Sequence, residues 1–352
     1  GCRAYFGYPI TPQNELIAYM AAHMMARGGV FIQAESETAA INMVYGASCA
    51  GARAMTSSSS PGISLKQEGI SYAAGADVPV VVVNVVRGGP GLGSIAPAQS
   101  DYFQTTRGGG HGDYRCIALA PKSVQESADL TFLAFDLADR YRMPVIVLAD
   151  GMIGQMMEGV VLPPEKTREE LPARDWIVGR MAGTGRASRH ITSIHLVPGE
   201  LEAKTRARFE RYETVKAAET RFEYNGPGGS VVVQGTDGGW EAEDTDLTLV
   251  AYGTSARVCL GVKTLAEKEG IRLGLFRPIT LWPFPGEALG RTAARGKPFL
   301  TVEMSLGQLV EDVRLAVQGR ARVHLLGHSG GVIPTEEEVF AEVMKICRAN
   351  SR

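Results

Sequence analysis

"VPVVVVNVVRGG", Val78–Gly89, is apolar at every position from Val80 to Val86 except Asn84. A strand with one wet face would alternate apolar and polar residues; this one does not. It is also too short to span a bilayer, which takes about 20 residues. The stretch therefore reads as a strand buried on both faces, and such strands belong to parallel sheets covered by helices on each side. "MPVIVLADG", 143–151, has the same character.

The segments around these two strands fit that sheet. "GGVFIQA", 28–34, and "RAMTSSS", 53–59, are short strands, and "SETAAINMVYGASCAGA", 36–52, is a small-residue helix between them. "PGISLKQEGISYAAGA", 61–76, is a helix with Pro61 in its first turn. "SVQESADLTFLAFDLADRY", 123–141, is amphipathic, with Ser123 as its N-cap. Strand and helix alternate up to about residue 150, the pattern of an α/β domain.

From 160 to 240 the pattern dissolves into charged, proline-bearing and glycine-rich sequence. One surface helix is expected there, over about 199–222. A second α/β unit follows. "DLTLVAYGT", "IRLGLFRPIT", "KPFLTVEM" and "RVHLLGHS" are its strands, and 255–270 and 335–349 are helices. Thr335 and Glu338 spell a capping box. The expected fold class is α/β with two domains, each built on a parallel or mostly parallel sheet. The expected divisions are 1–160, an extended connection over 161–244, and 245–352.

Composition narrows the function. Among 352 residues the net charge is −2, which gives no support for nucleic-acid binding. No apolar run is long enough for a membrane helix. The five cysteines stand apart, with no Cys-x-x-Cys, so the chain itself spells no standard iron–sulfur or zinc site. Scattered thiols in odd number fit a reducing cytoplasm. The first residue is Gly rather than Met, so residues are expected to be missing at the front.

Several residues stand where chemistry is done in such folds, at the ends of strands. Glu35 and Glu37 lie where a strand passes into a helix. Two effects oppose each other there: burial raises a carboxyl's pKa, and a helix N-terminus lowers it. Arg87 ends the most hydrophobic strand, either as a surface arginine or as a bidentate ligand for a carboxylate. "RGGPGLGS", 87–94, does not spell G-x-G-x-x-G, and "LADG", 148–151, lacks the asparagines of a metal–diphosphate motif. His111, in "RGGGHGD", reads as a solvated loop histidine. Thr11 sits between Pro9 and Pro12 in "GYPITPQNEL", 7–16, where the prolines fix the backbone ahead of a helix.

In order, "GYPITPQNE", "QAESETAA", "TSSSSPGISLKQEGISYAAGADVPVVVVNVVRGGPG" and "AQSDYFQTTRGGGHGD" resemble the 2-oxoacid:ferredoxin oxidoreductases, in the chain that carries the thiamine-pyrimidine domain. The resemblance is densest over 1–155. "LTLVAYGTSARV" and "FRPITLWPFP" continue it as a transketolase C-terminal-like domain. The 2-oxoisovalerate type is most similar, and the 2-oxoglutarate type nearly as similar. A transketolase-like or lipoyl-linked thiamine enzyme half is the other enzymatic alternative, and a non-catalytic scaffold is the alternative outside enzymes.

The resemblance implies thiamine diphosphate shared with a diphosphate-binding catalytic subunit that holds Mg²⁺. It further implies a gamma-type subunit and a ferredoxin-like subunit carrying [4Fe-4S] clusters, with coenzyme A and ferredoxin as co-substrates. By the same resemblance Glu37 is the catalytic carboxyl on the aminopyrimidine. Ser59 is a cofactor-binding residue, and Thr11 and Arg87 are substrate-binding. Glu35 departs from the Gln or Met of other members and, like His111, receives no role.

Overall fold

The computed structural model describes residues 1–350 apart from 167–169, 181, 182, 184 and 236–239; part of the expected connection lies outside the described residues. The first sheet has seven strands in the order Thr280–Trp282, Ile117–Leu119, Val145–Asp150, Val81–Val86, Ala54–Ser58, Ala4–Gly7 and Val30–Gln33. The last six run parallel. Val81–Val86 lies near the middle and pairs residue for residue with Val145–Asp150. Val81, Val83 and Val85 enter one core cluster and Val82 enters another on the opposite face. That explains the missing alternation in the sequence. Each such valine contributes about 2 kcal/mol through burial.

The second sheet has six strands, in the order Val323–Gly327, Phe299–Glu303, Leu247–Val250, Leu273–Pro278, Arg221–Gly226 and Gly229–Gln234. The first four are mutually parallel. The last two form an antiparallel hairpin on its edge. The stretch expected as extended connection thus supplies two strands. Its alternation, Phe222 and Tyr224 buried against Val233, is masked by the surrounding glycines. The surface helix expected nearby runs Pro198–Glu219, with Arg208, Tyr212, Val215 and Glu219 buried.

A second difference ties the sheets together. "IRLGLFRPIT" is not one strand: Leu273–Pro278 stays in the second sheet, and Thr280–Trp282 crosses to pair antiparallel with Ile117–Leu119 in the first. The largest core cluster follows that crossing, from Val83 and Leu119 through Tyr212 and Trp282 to Phe276 and Val313. Arg277, 1% exposed, bonds Glu223 at 2.7 Å and Glu126 at 2.8 and 3.0 Å across the same junction. The expected caps form: Ser123 Oγ accepts from Glu126 N at 3.1 Å, and Thr335 and Glu338 bond reciprocally at 3.0 and 3.2 Å. Among the described residues no helix is long and apolar enough to cross a membrane.

Candidate active site

Four neighbouring parallel strands bring their C-terminal ends to one rim. Val30–Gln33 leads to Glu37, Ala4–Gly7 to Thr11, Ala54–Ser58 to Ser58 and Ser59, and Val81–Val86 to Arg87. Residues far apart in sequence meet there because every crossover returns the chain to the same side of the sheet.

Glu37 opens the helix Glu37–Cys49, which Ser36 caps by accepting from Ala39 N at 3.1 Å. Its side chain is 7% exposed. It is wedged against the neighbouring helix, Ser60–Gly75, where a Cβ on Gly62 would overlap Ser58 Oγ and lie 2.7 Å from Glu37 Oε1. A Cβ on Gly69 would come within 2.6 Å of Ile41. The close approach of these helices comes from the glycines of the second helix; Gly46, in the first, has open space beside it.

Between the two glycines lies Lys66, fully buried, with its Nζ donating to the Glu37 carbonyl at 3.2 Å. Burial pulls the Lys66 ammonium down to about 8, and Glu37 opposes that shift.

Separate contacts tie two of the other expected site residues, Thr11 and Arg87, to each other and to the second helix. Ser59 is the N-cap position of Ser60–Gly75, yet its hydroxyl makes no cap bond. Ser60 Oγ accepts from Arg87 N at 3.1 Å and donates to Arg87 O at 3.2 Å. The Arg87 guanidinium is 8% exposed and donates to Thr11 O and Leu92 O, each at 2.9 Å. It thereby fixes the "PITP" loop against the "RGGPGLG" loop. The Thr11 hydroxyl is partly exposed and accepts from Asn14 at 3.4 Å. Asp101 stands beside Ser60, bonded by Asn84 at 2.8 Å, and burial pushes its carboxyl up against the opposing bonds from Asn84 and Ser60.

Ser58 Oγ, Ser59 Oγ, Asn84 Oδ1 and Arg87 Nε are buried there without a hydrogen-bond partner. Buried polar groups are nearly always paired, so such a cluster holds spare hydrogen-bonding capacity for water or a bound group.

The structure leaves two other candidates outside this cluster. Glu35 is exposed at the sheet edge. His111 is exposed, 3.4 Å from Ser71 Oγ and edge-on to Tyr72. "LADG" does not end its strand in a turn: the strand passes directly into the short helix Gly151–Gln155, with Asp150 as its N-cap. The carboxylate accepts from Ile153 N, Thr254 N and Thr254 Oγ1 at 3.1, 2.8 and 2.7 Å, joining the two units. Lys66, Asn84, Ser60 and Asp101 escaped sequence reasoning. The polar break at Asn84 in an otherwise apolar strand was the one usable signal.

The family model described as pyruvate flavodoxin/ferredoxin oxidoreductase, thiamine diphosphate-binding, matches residues 1–222. That of the pyruvate:ferredoxin oxidoreductase core domain II matches 245–339. The rim just described lies within the first match, which makes this the class of a thiamine diphosphate-binding α/β chain.

Ketoisovalerate oxidoreductase subunit VorB of Methanothermobacter marburgensis is 46% identical over 347 residues, covering 98% of this chain and 93% of that protein. 2-Oxoglutarate synthase subunit KorA of the same organism is 36% identical, covering 98% and 94%. The structure of 2-oxoglutarate:ferredoxin oxidoreductase from Magnetococcus marinus, with 2-oxoglutarate, coenzyme A and succinyl-CoA bound, superposes with a TM-score of 0.81 at 27% identity. It covers 99% of this chain, which spans 62% of the length of that one. The chain belongs to the 2-oxoacid:ferredoxin oxidoreductase family, as a subunit carrying its thiamine diphosphate-binding domain.

Proposed function

We propose that the chain is the pyrimidine-side subunit of a coenzyme A-dependent 2-oxoacid:ferredoxin oxidoreductase. The reaction converts a 2-oxoacid, 2-oxoisovalerate or a close branched analogue, to acyl-CoA and CO₂ with reduction of ferredoxin. The observation that carries this reading is the buried Glu37 carboxyl, packed over Gly62 together with the unpaired Ser58 hydroxyl, with the unpaired Ser59 hydroxyl next in sequence. A heteroaromatic edge offering both donor and acceptor atoms fits such a cluster.

Bound thiamine diphosphate supplies the carbon nucleophile and the electron sink that decarboxylation of a 2-oxoacid requires. Glu37 holds the aminopyrimidine edge through its carboxyl. Ser59, with Ser58, supplies hydrogen bonds to the same ring. Thr11 presents its hydroxyl to the substrate from a loop already fixed, so little entropy is lost on binding. Arg87 holds that loop through the Thr11 carbonyl and turns its remaining N–H groups to the substrate carboxylate.

The diphosphate and Mg²⁺ fall to a catalytic partner subunit, and the [4Fe-4S] clusters to it and to a ferredoxin-like subunit. A gamma-type subunit completes a cytoplasmic hetero-oligomer. The 2-oxoisovalerate assignment is favoured by the greater identity to the ketoisovalerate subunit than to the 2-oxoglutarate subunit.

The test is turnover of the purified complex with 2-oxoisovalerate, 2-oxoglutarate, pyruvate and an aryl glyoxylate, using coenzyme A and a viologen acceptor. Highest kcat/KM on 2-oxoisovalerate is expected. Preference for 2-oxoglutarate moves the chain to the second reading, and no turnover with any 2-oxoacid overturns both.

A further inference from the structure

Gly62, Lys66 and Gly69 lie four and three residues apart on the helix Ser60–Gly75, so they share one face. That face packs on Glu37 and Ile41 of the helix Glu37–Cys49. Two of the three positions have no side chain, which lets the helices close up. The third carries a long cationic chain with none of its surface exposed.

We propose that Lys66 is a positioning residue for Glu37: its ammonium anchors the first turn of the helix Glu37–Cys49 and sets a positive charge behind the carboxyl that faces the cofactor site. The proposal rests on the reading of Glu37 as the cofactor carboxyl.

The charged groups around Lys66 are otherwise engaged. On its own helix, Glu68 is bonded by Tyr72. Over the strand ends, Asp101 is held by Asn84, His111 lies against Ser71, and Arg87 is committed to two backbone carbonyls. Glu37 is the group that acts electrostatically on Lys66.

The ammonium is also a thermodynamic cost. Its folded pKa, about 8, lies below its ordinary value of 10.5. Between those values the unfolded chain holds the extra proton, so stability rises with pH there, and at pH 7 the buried charge works against folding. Methionine would fill the same gap without that cost. A residue that lowers stability at a functional site is where activity and stability trade against each other.

The experiment titrates thiamine diphosphate into the assembled apo-complex by calorimetry between about pH 7 and 9.5, alongside thermal melting. Lys66→Met is expected to melt higher at pH 7 yet bind the cofactor about tenfold more weakly. The parent's affinity is expected to fall as the pH passes about 8. Lys66→Arg, charged throughout, is expected to hold its affinity across that range. A Lys66→Met complex that binds with the parent's affinity and pH dependence overturns the proposal, and one that also melts lower makes Lys66 a packing residue. Glu37→Gln in the same complex separates the two claims. If it turns over normally, the reading of Glu37 falls; if it is inactive while Lys66→Met binds normally, the role of Lys66 alone falls.

Discussion

Two buried polar clusters stand at the ends of adjacent strands in the first sheet. One gathers at Asp150, at the end of Val145–Asp150; the other reaches from Glu37 to Arg87, at the end of Val81–Val86. In the Asp150 cluster the capacity is used. Both carboxylate oxygens accept bonds, and Gln99 gives Nε2 to Tyr252 O at 2.8 Å while Oε1 accepts from Ser255 and Met304 N at 3.1 and 3.0 Å. In the Glu37 cluster two serine hydroxyls, an amide oxygen and a guanidinium N–H are left over. The contrast teaches which buried polar cluster is a clasp and which is a site. A clasp satisfies itself, and a site keeps capacity for what it binds.

Glu37→Gln attacks the open cluster directly and has the largest expected effect. Loss of a catalytic carboxyl costs about 10²–10⁴-fold in kcat, while gel filtration should show the subunits still assembled. The closed cluster should answer in stability. Asp150→Ala leaves Thr254 N, the Thr254 hydroxyl and Ile153 N unpaired, at about 2–4 kcal/mol. A matching fall in the urea midpoint is expected. Gly253→Ala should act at the same place, since Gly253 has φ +55° and its Cβ would stand 2.5 Å from Asp150 Oδ2.

The Glu223 network between the sheets sharpens the comparison with a pH dependence. Although burial opposes it, Arg277, Lys122 and Ser230 hold the Glu223 carboxyl at about 2, against an ordinary 4.5. A depressed carboxyl stabilises the fold above its unfolded value and loses that contribution as the pH falls through its folded one. The stability difference between the parent and Glu223→Gln, at most about 3 kcal/mol near neutrality, should therefore shrink as the pH drops from 4.5 toward 2. A constant difference in urea midpoints over that range would remove the ion pairs from the account.

Much of this contrast was legible in the sequence. Unbroken apolar strands declared parallel sheets, and strand ends picked out Arg87 and the pair Glu35 and Glu37, between which the family resemblance chose. Glycine hid the rest. In "NGPGGSVVVQG" it obscured a hairpin whose alternation is plain once Phe222 and Tyr224 are seen packing. In Ser60–Gly75 it lay on the face that brings Lys66 to Glu37, a contact that depends on how two helices cross rather than on either sequence. Asp150 could be read as the end of a strand but not as a clasp, because its partner lies 104 residues away. Arg87 stood out in the sequence as a candidate carboxylate ligand; its hold on the Thr11 carbonyl did not. Arg87→Ala should raise KM for the 2-oxoacid about tenfold, one charged hydrogen bond's worth, and an unchanged KM places the substrate carboxylate elsewhere.

Ser59→Ala gives the smallest effect and the cleanest test of the contrast. An unpaired buried hydroxyl contributes nothing to the fold, because its hydrogen bonds with water are lost and no others replace them. Replacing it with a methyl of similar size should leave the thermal stability of the cofactor-free chain unchanged or slightly higher. With cofactor the sign reverses, because the hydroxyl then has a partner. The Kd for thiamine diphosphate in the assembled complex should weaken about three- to tenfold, a hydrogen bond of about 1 kcal/mol. Thr254→Val, in the satisfied cluster, should do the opposite, costing stability while leaving cofactor affinity alone. Should Ser59→Ala destabilise the cofactor-free chain as Thr254→Val does, the two clusters would be alike, and the reading of leftover capacity as a binding site would fail.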